Sequence, residues 1–144
     1  MRKAVALARI AANQGEVPVG AIFFYGTKLQ VSSFNKTKQL NDPTAHAEIL
    51  VIRAASKFLA NHRLTDGVLF TTLEPCTMCA GAILESRIST LIFGAYDSRN
   101  GAAGSVYNIV AKNPKIEIVG GVEEKLCSSL LTDFFKARRN LRVV

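Results

Sequence analysis

Four residues of this chain have the types and spacing for metal-assisted hydrolysis: His46 and Glu48, two positions apart, and Cys76 and Cys79, three positions apart. Imidazole nitrogen and thiolate sulfur are preferred ligands of zinc, and a catalytic zinc takes three protein ligands and leaves a fourth position to water. His46, Cys76 and Cys79 offer one nitrogen and two sulfurs. On a helix, where each residue turns by about 100°, Cys76 and Cys79 point to nearly the same side and can share one ion. Pro75 suits the first turn of that helix, whose N-terminus favours thiolate over thiol. His46 and Glu48 would face nearly opposite sides in mid-helix, so they can share a site only near a helix end. Asp42-Pro43-Thr44, just upstream, supplies the start signals that put them there. Two thiolates formally neutralise Zn2+, yet the metal still lowers the pKa of a coordinated water, whose proton Glu48 is placed to accept.

The elements that must position these residues follow from periodicity. Arg2 to Asn13, with Leu7, Ile10 and Ala11 at helical spacing and Gly15 beyond, predicts a first helix. Val17 to Tyr25 and Leu29 to Phe34 are β-favouring runs around Gly26-Thr27-Lys28, an antiparallel hairpin, followed by a polar loop from Asn35 to Thr44. Ala45 to Leu59 carries a wide apolar helical face through Ile49, Leu50, Ile52, Ala55 and Phe58. Val68 to Leu73 lacks polar alternation, as a strand covered on both faces does, and a helix then opens at Pro75 and runs to about Ser86. Leu91-Ile92-Phe93 before Gly94 gives another buried strand, and Asp97 to Ser105 a loop leading to a short helix. Ile116 to Val119 is the last strand, and Leu126, Leu130, Leu131, Phe134 and Phe135 form the apolar stripe of a final helix. Strands alternating with helices predict an α/β fold, a three-layer α-β-α sandwich around a central mixed five-stranded sheet.

Composition bounds the rest. With 144 residues, 49% of them hydrophobic, the chain is expected to form a single domain over 1–144 with a core that needs no staples. No apolar run approaches the roughly 18 residues of a membrane span, and Ala4 to Ala8 is too short for the hydrophobic region of a signal peptide, so a cytoplasmic protein is expected. Three cysteines, two of them three apart, read as metal ligation or redox chemistry rather than disulfides. The formal charge of +7 attracts polyanions such as nucleic acid or acidic membrane surfaces, and it also fits an ordinary basic cytosolic protein.

Alone, C-x-x-C is more often a structural zinc half-site or a redox pair, and H-x-E by itself carries nothing. Together, His46-Ala47-Glu48 and Pro75-Cys76-Thr77-Met78-Cys79 match the signature of the zinc nucleobase deaminases. Further segments extend the match over nearly the whole chain: Glu16-Val17-Pro18-Val19-Gly20, Asn41-Asp42-Pro43-Thr44-Ala45-His46-Ala47-Glu48, Thr72-Leu73-Glu74-Pro75-Cys76, Ala80-Gly81-Ala82, Gly101-Ala102-Ala103-Gly104-Ser105 and Asp133-Phe134-Phe135. The chain thus resembles the bacterial tRNA-specific adenosine deaminases of the cytidine deaminase-like superfamily. The resemblance implies a cytidine deaminase-like fold and hydrolysis of adenosine to inosine at the wobble position of a tRNA anticodon stem-loop. In it, Zn2+ on His46, Cys76 and Cys79 activates the water, and Glu48 carries protons to the ring nitrogen and to the departing ammonia. It also implies that Asn35 and the backbone N–H of Ala47 contact the flipped base, and that the enzyme is a homodimer. Read by itself, Asn35 is an ordinary turn residue. Lys136, Arg138, Arg139 and Arg142 give the last helix a basic end, suited either to phosphates or to the helix macrodipole. Contacts at Tyr96 and Asn100, in a variable stretch, do not follow from the resemblance.

Two rivals stand beside this reading. One is a deaminase of the same fold acting on a free guanine- or cytosine-type base or nucleoside, which needs no basic surface. The other is a non-catalytic zinc module that binds RNA, with Cys127 or His62 as a fourth ligand. Against the latter, Cys127 is expected to pack beside Leu126 and Leu130 as a small hydrophobe.

Overall fold

The structure, a computed structural model, describes residues 1–141; Arg142 lies outside the described residues. A first helix, α1 (Arg2–Asn13), leads into the hairpin β1 (Gly20–Tyr25) and β2 (Leu29–Phe34). There follow α2 (Ala47–Leu59), β3 (Gly67–Leu73), α3 (Thr77–Ser86), β4 (Thr90–Ala95), β5 (Glu117–Val119) and α4 (Glu124–Leu141). The short helix expected after the 97–105 loop is a single 3-10 turn, Val110–Lys112.

The five strands form one sheet in the order β2-β1-β3-β4-β5. The hairpin register pairs Gly20 with Phe34 and Tyr25 with Leu29, and β1 is also antiparallel to β3. β3, β4 and β5 run parallel, as the intervening crossovers require. The sheet is therefore mixed. Helices α2 and α3 pack against each other on one face and α1 against α4 on the other, which completes the three-layer α/β sandwich.

Burial follows the patterning. Between the sheet and the α2–α3 layer lie Phe23, Leu69, Leu91 and Phe93 of the strands with Val51, Ala55, Ala80 and Ile83 of the helices. Removing a side chain such as Phe23 or Phe93 from water contributes roughly 1.5–3 kcal/mol each. The opposite layer is thinner. Helix α1 buries mainly alanines, Ala4, Ala8 and Ala11, and comes so close to β1 that a Cβ on Gly20 would collide with Ala4 O. That approach explains why a glycine opens the strand.

The apolar stripe of α4 is less buried than its pattern suggests. Only Cys127 is fully covered, while Leu126, Leu130 and Leu131 are partly buried and Phe135 is 42% exposed. Beyond Leu131 the helix borders an open cleft rather than the sheet, so its last apolar residues face that cleft. Among the described residues, no helix is long and apolar enough to cross a membrane.

Candidate metal centre and substrate cleft

The metal-ligating side chains meet because two helices begin at the same place. His46 is the N-cap of α2, in extended conformation at φ −71°, ψ 151°. Cys76 is the N-cap of α3, likewise extended at φ −72°, ψ 174°. Both helices start one or two residues later than the patterning suggests, because each ligand occupies the cap instead of the first turn. The approach to α2 is fixed by Asp42, whose Oδ1 accepts the N–H and the hydroxyl of Thr44 at 2.8 and 2.7 Å. Those two bonds hold the Asp42 carboxyl below its ordinary pKa. Stepping from cap to first turn turns the chain, so Glu48 lies beside His46 instead of opposite it.

His46 Nδ1 lies 3.7 Å from Cys76 Sγ and 3.5 Å from Cys79 Sγ, and the three ligand atoms all fall within 4.8 Å of one another. A tetrahedral zinc, with Zn–S near 2.3 Å and Zn–N near 2.0–2.1 Å, sets nitrogen and sulfur about 3.5 Å apart. The donor set and its spacing therefore fit a metal ion of that kind. No other residue joins the cluster among the described residues. Cys127 is packed against Val5, Ala95 and Leu130, so tightly that a Cβ on Gly94 would strike its Sγ, and burial pushes its thiol pKa up. His62 lies beyond the far end of α2. Neither residue reaches the cluster, so among the described residues the site offers three ligands.

The electrostatics suit cation binding. The two thiols share a hydrogen bond that lowers Cys76 to a pKa of about 4, with His46 adding to the effect against the cost of burial. Cys79, as the donor in that bond and nearly enclosed, is pushed up. Two helix N-termini direct their positive ends at the thiols, which favours thiolate. The hydrogen bond to Cys76 raises His46, with burial opposing. Glu48 is 4% exposed, and loss of solvent raises its pKa above the ordinary carboxylate range.

These residues open onto a cleft of about 1320 Å3 at the carboxyl ends of β3 and β4, the usual location of ligand sites in open parallel sheets. Asn35, 6% exposed, lines it beside His46 and Glu48. Its Oδ1 accepts the N–H of Ala47 at 2.9 Å. The N–H that the family resemblance points at the base thus holds Asn35 in this structure, and Asn35 keeps its Nδ2 for other partners. Arg138 and Arg139 of α4 line the same cleft, with the Arg138 guanidinium 4.9 Å from the Phe134 ring centre.

Two buried acids had been given no individual role. Glu16 and Glu74 are each 1% exposed. Glu16 accepts the N–H groups of Lys38 and Gln39, both at 2.8 Å, and the Thr37 hydroxyl at 3.1 Å, tying down the polar loop before α2. Glu74 does the same for the 97–105 loop. The one signal in the sequence is an acid adjoining an apolar run, as in Leu73-Glu74-Pro75. It indicates burial but not the partner.

A cleft built in this way defines the class: a metal-dependent deaminase of cyclic amidines. The MafB19-like deaminase family matches residues 1–139. The tRNA-specific adenosine deaminase of Haemophilus influenzae is 44% identical over 143 residues, which cover 96% of this chain and 83% of that protein. A solved structure from a study of A-to-I editing by tRNA:A34 deaminases at the wobble position superposes with a TM-score of 0.86 at 40% identity, covering 91% of this chain and 97% of the other. The chain belongs to the bacterial tRNA-specific adenosine deaminase family, within the cytidine deaminase superfamily. A guanine deaminase from Nitrosomonas europaea, 22% identical with a TM-score of 0.80 over 92% of this chain and 81% of its own, shares the fold.

Proposed function

We propose that this protein hydrolyses adenosine to inosine at the wobble position of a tRNA anticodon, with zinc as its metal. The observation that carries the reading is the clustering of His46 Nδ1, Cys76 Sγ and Cys79 Sγ within 4.8 Å in the cleft lined by the buried Glu48 and by Arg138 and Arg139. The family's tRNA-specific relatives support the choice of substrate.

His46, Cys76 and Cys79 would hold the ion. Zinc, when bound, supplies Lewis-acid activation of the attacking water. Glu48 takes a proton from the attacking water and delivers it to the purine ring nitrogen, then carries the proton of the new C6 hydroxyl to the leaving amino group, so that adenosine and water become inosine and ammonia. Its burial, which raises its pKa, favours the protonated form that such a carrier must reach. Asn35, fixed by the Ala47 N–H, presents its Nδ2 to an acceptor on the edge of the extruded base. Arg138 and Arg139 meet phosphates of the anticodon stem-loop. Residues 1–144 act as one deaminase domain, working as a homodimer in the cytoplasm.

The purified protein is expected to hold one zinc per chain, lost in Cys76→Ser and Cys79→Ser and kept in Cys127→Ser, and to convert a wobble adenine in a stem-loop to inosine. Metal analysis and mass spectrometry of the RNA test this directly. Release of zinc from Cys127→Ser would show the ligand set to be wrong.

A further inference from the structure

Glu74 directly follows β3 and precedes Pro75 and Cys76, one of the three candidate metal ligands. Its Oε1 accepts the N–H groups of Ala103 and Ser105, both at 3.0 Å, and its Oε2 accepts the N–H of Asp97 at 2.9 Å and the Ser105 hydroxyl. One buried carboxyl group thus gathers four donors, all from the 97–105 loop. The loop is fastened alongside by the Ala102 N–H on Pro75 O at 2.8 Å and by an antiparallel bridge between Cys76 and Gly101. A Cβ at Gly101 would collide with the Glu74 carboxyl, so the close approach requires glycine there. Asp97 carries the restraint outward: its Oδ1 accepts the N–H groups of Arg99 and Asn100 at 2.9 and 3.1 Å. Those residues line the cleft.

We infer that Glu74 is a positioning residue for deamination: it holds the 97–105 loop at a fixed distance from the metal-ligand segment and so sets the wall against which the substrate is placed. Packing alone would not do this, because the loop's tip is exposed and polar, and backbone donors gathered on one carboxyl group define its geometry. The effect falls on substrate placement rather than on the metal, since His46 and Cys76 are the N-caps of α2 and α3 and Cys79 sits in the first turn of α3. The inference rests on the deaminase reading above.

Glu74→Gln tests it. Turned one way, the amide NH2 faces the N–H groups of Ala103 and Ser105; turned the other, it faces the Asp97 N–H, with only the Ser105 hydroxyl able to accept from it, so the loop must loosen while volume is kept. Ser105→Ala removes one donor and serves as a milder variant if Glu74→Gln does not fold. Three quantities are read on the holoenzyme: zinc per chain, amide exchange at Asp97 and Ala103, and KM and kcat on an anticodon stem-loop. For Glu74→Gln, zinc stays at the wild-type level, exchange at both amides quickens, and KM rises about tenfold while kcat stays within about threefold. Ser105→Ala moves KM in the same direction by less. Unchanged amide exchange, an unchanged KM, loss of zinc, or a collapse of kcat at constant KM would each overturn the assignment. If the wild-type protein fails on the stem-loop but deaminates free adenosine, guanine or cytosine, the tRNA reading fails and the Glu74 comparison is made on that compound. The exchange measurement needs no substrate and can by itself sink the inference.

Discussion

The role proposed for Glu48 sets two demands that conflict: burial suits a proton carrier, and burial makes its charge costly. Because loss of solvent raises its folded pKa above the unfolded value, the folded state holds the proton more tightly, and its contribution to stability falls as pH rises through the interval between the two values. Glu48→Gln has no such penalty. The variant is expected to keep its zinc, to lose turnover by about 100-fold or more, and, in the metal-free form, to gain stability relative to wild type as pH goes from acid toward neutral. Melting temperatures across that range together with single-turnover rates check both halves; an unchanged rate refutes the proton-carrier role. The cluster of His46, Cys76 and Cys79 was legible from the sequence because few residue types bind metal and their spacing fits helix starts. Glu16 and Glu74 were not. The N–H groups that Glu74 accepts lie 23 to 31 residues further along the chain, and only the fold brings them to it.

At the scale of elements, periodicity located every strand and helix but erred by a few residues where caps decide the boundary. His46 and Cys76 were read inside helices and are N-caps. The hairpin's first strand begins at Gly20 rather than Val17, because the chain before it is bound up with the end of α1 and Glu16. The other ends of these helices carry a cost that the pattern does not show. α2 closes on Ala60 at φ 49° and α3 on Arg87 at φ 56°, left-handed conformations that glycine adopts far more readily. Ala60 still donates its N–H to Lys57 O, and Asn61 its own to Ser56 O, so the cap geometry is retained at the expense of strain. Ala60→Gly is expected to stabilise the protein by about 1 kcal/mol, or about 2–4 °C in Tm, with activity unchanged. Thermal unfolding checks this, and a lower Tm would show that the cap is unstrained.

For the whole molecule, the charge of +7 gave only a leaning toward polyanions, because composition does not say where the charges lie. The fold supplies that by bringing the end of α4 to the cleft that holds the candidate metal centre. If Arg138 and Arg139 meet phosphates, replacing both with Gln should weaken stem-loop binding and reduce the slope of log K against log salt by about 1–2. Asn35→Ala should lower turnover and leave that slope unchanged, since a base-edge contact releases no counterions. Filter binding over a salt series separates the two effects. The most direct measurement sets the rate on a stem-loop with adenine at the wobble position against the rates on free adenosine, guanine and cytosine at one salt concentration. Inosine in the stem-loop and far slower conversion of every free compound are expected; equal or faster turnover of any of them would contradict the tRNA assignment.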